Sequence, residues 1–355
     1  MTLKANYEND EIWPILATMR FVFAMWVLFD HTYNFGPHSR AMPILSGSGL
    51  MPVMCFLAIS GYSIRHSIEA RPDGYLKRRF WRIAPTNFAS VALAISAYSV
   101  LGPVLIDGYG NQFQKPDVFS WIIYLIPAQS VFPVFIPVLF PTWSLSIEIM
   151  YYILAPWLLR ASTKTLLGIV LFSAAGFACW NYLPAGFAPR YVAEATTGVG
   201  IAVFAWAWLS GWMAYKRKDP IFFIVFWSIG CVCVFQQPYG FQLNDATSKV
   251  ATYVTWLATM ATLFFPMHFG LSPRVRKIMS YIGDLSFPLY LVQYPVLFAL
   301  TSSVWKAHPD WNFGVLHVLI SIVAAVLVLH LCDRPFRRFG RSKTVAQSTM
   351  SHGIS

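Results

Sequence analysis

The sequence predicts an all-α polytopic membrane protein of about ten transmembrane helices with both termini cytoplasmic. Three observations predict it. The 355 residues are 57% hydrophobic and only 12% charged, roughly half the charged share of a soluble domain. Apolar runs near the ~20 residues that a bilayer needs recur along the whole chain. The 26 Lys and Arg are unevenly placed: with the N-terminus inside, twenty fall in inner segments and five in outer ones, while Arg20 lies within a span. That asymmetry is the positive-inside signature, and it suits an even number of spans.

The first span is expected at 13–33, where every residue from Phe21 to Phe29 is apolar. The second, at 49–66, stays apolar until Arg65. The third, at 86–105, follows the basic stretch GYLKRRFWRIAP, whose Pro85 suits a helix boundary. Residues 119–140 are apolar too, but prolines at 127, 133 and 137 point to a broken segment, interfacial or re-entrant. Further spans are expected at 142–160, 165–182, 196–215, 220–236, 250–271, 281–302 and 313–332. Residues 1–335 read as one transmembrane domain, and 336–355 as a basic, then polar, cytoplasmic tail. The N-terminal MTLKANYENDEIWP does not have the pattern of a removable signal peptide.

The net charge of +11 sits in short loops, and the aromatics lie inside the apolar runs. This placement sets topology and argues against a nucleic-acid partner. All five cysteines fall in apolar runs and read as buried thiols, with Cys231 and Cys233 too close on one helix for a metal site. No metal is expected.

Four clusters carry possible chemistry. Arg20 and His31 are eleven residues apart, so they share a helix face and stand roughly 16 Å apart along the axis. A charge inside a span usually faces a bundle interior or watery cavity. His31 is the natural proton-transfer group; the plainer reading is a snorkelling arginine and a rim histidine. Arg79 and Arg82, spaced i, i+3, share a helical face beside Lys77 and Arg78, and suit a polyphosphate as well as they suit lipid headgroups. In PTWSLSIEIMYYILAP, Glu148 lies inside a span, with Trp143, Ser144, Tyr151 and Tyr152 around it. In DLSFPLYLVQYPV, Asp284, Ser286, Tyr290 and Gln293 punctuate a helix that Pro288 and Pro295 would kink. His268, His317 and His330 read as packed or interfacial histidines.

Taken in this order, the clusters resemble the integral-membrane acyltransferase family three, whose bacterial members acylate sugars of O-antigens, exopolysaccharides and nodulation factors. Arg20 and His31 match its first-span arginine, ten residues and histidine. Ser60-Gly61-Tyr62 matches its Ser-Gly-aromatic step, and Arg79, Arg82 and Pro85 its Arg-x-x-Arg and proline. Trp143, Ser144, Leu145 and Glu148, with the later Tyr151 and Tyr152, match Trp-Ser-Leu-x-x-Glu, and Pro288 to Leu291 match Pro-Leu-Tyr-Leu. Two departures stand out: Gln293 where relatives often have histidine, and Asp333-Arg334-Pro335 where they have Glu-x-Pro.

The resemblance implies an O-acyltransferase in a bacterial inner membrane, and with no room for the extracytoplasmic domain that many relatives carry, the chain is expected to act as a stand-alone transferase. It implies acyl-CoA, most simply acetyl-CoA, as co-substrate, no bound cofactor, and a glycan hydroxyl as acceptor, with a lipid-linked glycan among the options. By the same resemblance His31 and Glu148 are the catalytic candidates. Arg20, Arg79 and Arg82 are the donor-binding candidates, and Trp143, Ser144 and Tyr290 are acceptor or cavity-lining candidates. His31 acts either as general base or as acyl carrier. A glycan or small-acid transporter or flippase is the alternative function, and an inactive scaffold a further one.

Overall fold

The computed structural model describes residues 11–36, 49–132, 134–179, 198–235, 246–265, 269–305 and 312–337. The helices are α1 (Ile12–Asn34), α2 (Leu50–Ala70), α3 (Tyr75–Leu101), α4 (Val118–Leu125), α5 (Thr142–Leu158), α6 (Thr163–Cys179), α7 (Val199–Val203), α8 (Ala205–Ala214), α9 (Pro220–Phe235), α10 (Ala246–Phe264), α11 (Pro273–Leu300) and α12 (Gly314–Val328). The last two run on into single π-helical turns, Thr301–Trp305 and Leu329–Asp333.

Helix passes through all ten expected stretches, and the class is that of an all-α membrane protein. Among the described residues, four helices are both long and apolar enough to cross a bilayer: Ile12–Asn34, Tyr75–Leu101, Pro273–Val304 and Gly314–Arg337. The others are shorter, broken at Phe204 between α7 and α8, or more polar.

The structure corrects the sequence reading in four places. First, α3 begins at Tyr75, and Pro85 lies inside it rather than at a boundary. A proline inside a membrane helix removes one backbone bond without necessarily ending the helix. Asn87, fully buried two residues on, donates from Nδ2 to Tyr124 O at 2.9 Å. Second, a short antiparallel hairpin, β1 (Val104–Ile106) and β2 (Gln112–Gln114), interrupts the all-helical plan. Asp107 nucleates its turn, accepting from the Tyr109 and Asn111 backbone N–H at 2.9 Å each. Third, Cys179 is exposed, while Cys55 and Cys233 are buried, because a membrane helix also has a lipid-facing side. Fourth, the helix that carries the last span continues to Arg337, beyond the expected end at 332.

The proline-rich stretch 119–140 is broken, as its prolines require. After α4 its described residues run without regular helix to a 3₁₀ turn at Pro137–Leu139. Two of its polar groups are met by α5: Gln129 Nε2 donates to Thr142 O at 2.6 Å, and Ser130 N donates to Ser146 Oγ at 2.9 Å.

Small residues let the helices meet closely. A Cβ on Gly61 of α2 would lie 1.9 Å from Trp208 O, and one on Gly211 of α8 would lie 1.7 Å from Ala58 O. On α11, Gly283 sits against Ala17 of α1, with 2.4 Å from its missing Cβ to the alanine methyl. The Ser-Gly-aromatic step is thus first a packing device. Fully buried Trp206, Trp208, Trp212 and Trp256 fill the core beside it. At the start of α1, Glu11 accepts from Phe269 N (2.8 Å), Leu271 N (2.9 Å) and Arg276 (2.9 Å). The Phe269 N–H, with help from Leu271 and Arg276, holds this carboxyl below its usual range.

Candidate active site

Five helices converge on a cavity of about 520 Å³. Arg20 enters from α1 and Ser60 and His66 from α2; Arg78, Arg79 and Arg82 come from α3, Ser144 and Glu148 from α5, and Tyr290 from α11. The i, i+3 spacing of Arg79 and Arg82 aims both inward, as helical geometry requires. Lys77 is exposed and away from the cavity, whereas Arg78 is at its edge and donates to the Asp73 and Arg71 carbonyls. Trp143, one residue before Ser144, points elsewhere and packs on Phe204 with ring centroids 5.1 Å apart.

Positive charge dominates this cavity. Arg82 feels Arg337, Arg20 and Arg79 as like charges. Glu148 is the lone carboxylate among the described lining residues, and its Oε1 accepts from Tyr152 OH at 2.5 Å. Arg20 lies within electrostatic reach of both groups. The Arg79 guanidinium stands over Tyr75 and Tyr152 at 5.8 and 5.9 Å. Arg20 Nε and Arg79 Nε are buried with no hydrogen-bond partner. Unmet guanidinium donors beside a cavity are what an anionic ligand satisfies.

His31 is not part of this cavity. It lies further along α1, edge-on to Tyr294 at 4.7 Å and to Phe140 at 5.8 Å. Those two rings stack on each other at 5.3 Å. A polar latch joins the two regions. Tyr290 OH meets Ser144 Oγ at 2.8 Å and donates to Pro141 O at 3.1 Å. Tyr290 is one turn from Tyr294, and Pro141 adjoins Phe140. Arg20 and His31 therefore share a helix, but aromatic rings and this latch interrupt the path between them. Glu148 sits with Arg20 and Tyr152, not with His31.

Two residues outside the sequence-predicted set matter here. Arg337 bonds Asp284 at 2.8 Å and Asp333 at 2.8 and 2.5 Å, tying α11 to the end of the last helix. Asp284 is thus a structural partner. His317 is fully buried and bridges α1 to α11, meeting Thr32 Oγ1 at 2.7 Å and Gln293 O at 2.9 Å. Arg337–Asp333 is an i, i+4 pair that spacing allows, but periodicity carries no signal for the Arg337–Asp284 and His317 contacts, which join distant parts of the chain. His330 meets Tyr281 OH at 3.3 Å, and His268 lies outside the described residues. Among the described residues no group of three His, Cys, Asp or Glu is placed to hold a metal ion.

Apolar helices around a basic, partly buried cavity define an integral-membrane protein with a charged internal site. A family model described as an acyltransferase domain matches residues 14–332. The chain belongs to acyltransferase family three and is a membrane acyltransferase. No curated protein and no solved structure matches it.

Proposed function

We propose that this enzyme moves a short acyl group, acetyl first among the candidates, from acyl-CoA to a hydroxyl of a cell-surface or secreted glycan, in a bacterial inner membrane. The observation that supports this most is the pair of buried guanidinium Nε donors without a hydrogen-bond partner, on Arg20 and Arg79, at the cavity of a family-three chain. Coenzyme A carries phosphates that such groups bind with paired, charge-assisted hydrogen bonds.

In this reading the donor enters from the cytoplasm past Arg78, and Arg79 and Arg82 hold its phosphates. Arg20, deeper on α1, holds negative charge of the bound donor on the cavity side. The thioester passes the Tyr290–Ser144 latch, which parts to admit it, and meets the acceptor at His31. The acceptor oxygen attacks the carbonyl carbon while His31 takes the hydroxyl proton. The new C–O bond forms, the C–S bond breaks, and the proton on His31 goes to the departing thiolate. Glu148 holds Tyr152 and balances Arg20, a supporting role for the donor side.

Purified wild type and the Arg79→Ala/Arg82→Ala double variant, titrated with acetyl-CoA, test the donor half. Saturable binding lost in the double variant supports the reading. Substrate uptake into proteoliposomes with no dependence on acyl-CoA and no CoA release would instead favour a transporter.

A further inference from the structure

The surroundings of His31 hold a feature that the transfer scheme does not use. Gln293 is fully buried on α11. Its Nε2 donates to Tyr290 O at 3.0 Å. A carbonyl only accepts, so this bond fixes the amide: nitrogen toward Tyr290, oxygen free on the other side. His31 packs edge-on to Tyr294, the next residue along α11, at 4.7 Å, and the Gln293 side chain acts on its imidazole. Gln293 Oε1 and His31 Nδ1 nonetheless complete no full bond and have no other partner. Loose contacts of this kind commonly tighten when substrate binds.

Gln293 is itself held in place. His317 on α12 meets the Gln293 carbonyl through Nε2 at 2.9 Å, so Nε2 carries the hydrogen. Its Nδ1 meets Thr32 Oγ1 at 2.7 Å, one residue beyond His31 on α1. One buried ring therefore pins both backbones that carry the facing pair.

We infer that Gln293, clamped by His317, is a positioning residue that sets the tautomer of His31. An amide oxygen can only accept, so the imidazole must turn an N–H toward it. The other ring nitrogen then keeps its lone pair for the acceptor's proton. This deepens the acyl-transfer reading and rests on it for its purpose, but the tautomer itself is a property of the protein alone. The other ionisable groups near His31 are His317 on α12, Tyr294 and Tyr290 on α11, and Asp30 and Tyr33 on α1; Asp107 of the hairpin turn acts on Tyr294.

The test uses ¹⁵N-histidine protein in liposomes, read by solid-state NMR, with His31→Gln assigning the His31 signals. Wild type is expected to show one neutral tautomer. Gln293→Met, similar in volume and lacking the amide, is expected to show a mixture, and His317→Phe the same mixture. Gln293→Glu places a carboxylate beside the ring and is expected to raise the His31 titration midpoint by about one unit or more. A His31 signal unchanged across Gln293→Met and Gln293→Glu overturns the inference, whether or not the protein transfers acyl groups. Where wild type releases CoA from acetyl-CoA in the presence of glycan, Gln293→Met is expected to lower kcat roughly ten- to hundredfold at unchanged donor KM. Wild type that fails to release CoA defeats the acyl-CoA reading and leaves the NMR result standing.

Discussion

Replacing Arg79 with alanine is expected to weaken donor binding while leaving the fold intact. Arg79 forms no ion pair with a described carboxylate, its Nε has no partner, and its guanidinium only overlies Tyr75 and Tyr152 at 5.8 and 5.9 Å. Losing those ring contacts costs about 0.5–2 kcal/mol. Removing a buried donor with no partner returns about 1–3 kcal/mol. The two nearly cancel, so the unfolding temperature of the donor-free protein is expected to move little. A charge-assisted hydrogen bond to a phosphate is worth about 1.5–3 kcal/mol, or roughly ten- to hundredfold in Kd. Arg79→Lys keeps the charge without the planar fork and is expected to fall between. Titration with acetyl-CoA and thermal unfolding, run on the same preparations, read both quantities. An unchanged Kd, or a large loss of stability with affinity intact, would refute a donor-binding Arg79.

Other outcomes follow from the same geometry. Arg337→Ala leaves fully buried Asp333 without its partner and is expected to cost about 3–5 kcal/mol, with Asp333→Asn recovering part of it in the double variant; thermal unfolding reads both. Gly61→Ala puts a methyl 1.9 Å from Trp208 O, which is backbone and cannot rotate away, so α2 and α8 must part; a loss of at least 1–3 kcal/mol is expected, read as a lower unfolding temperature. Glu11 has a carboxyl held below its ordinary range by the Phe269 N–H. Its stabilisation is thus full above the unfolded-state pKa of about 4.3 and fades as pH falls through the lower folded-state value. Glu11→Gln is expected to flatten that acid limb in unfolding measurements between pH 6 and 3.

Much of the bundle was legible because its causes are local. Apolar runs of membrane length announce helices, and the prolines around 127–137 announce the break. The i, i+3 spacing places Arg79 and Arg82 on one face, and both line the cavity together with Arg20, Ser144, Glu148 and Tyr290. What the sequence could not reveal depends on contacts between distant segments. Pro85 looks like a helix end, yet α3 runs through it from Tyr75 to Leu101, and local sequence does not tell a proline that ends a helix from one inside a packed membrane helix. Trp143 sits next to Ser144 but turns to Phe204, since neighbouring helical residues point about 100° apart. Arg20 and His31 do share a face, but no spacing rule discloses the Phe140–Tyr294 stack and the Tyr290 latch that divide them. His317 reads as a packed histidine, and it is one; its bonds to Thr32 and Gln293 appear only once α1, α11 and α12 are assembled.

The most direct test of the central claim is the ester content of surface glycans, measured by mass spectrometry in a strain lacking this protein. The strain is complemented with wild type or His31→Ala at matched membrane levels. Wild type is expected to restore an acyl mass that His31→Ala does not, and that mass names the acyl group. Equal restoration by both would contradict a transfer centred on His31.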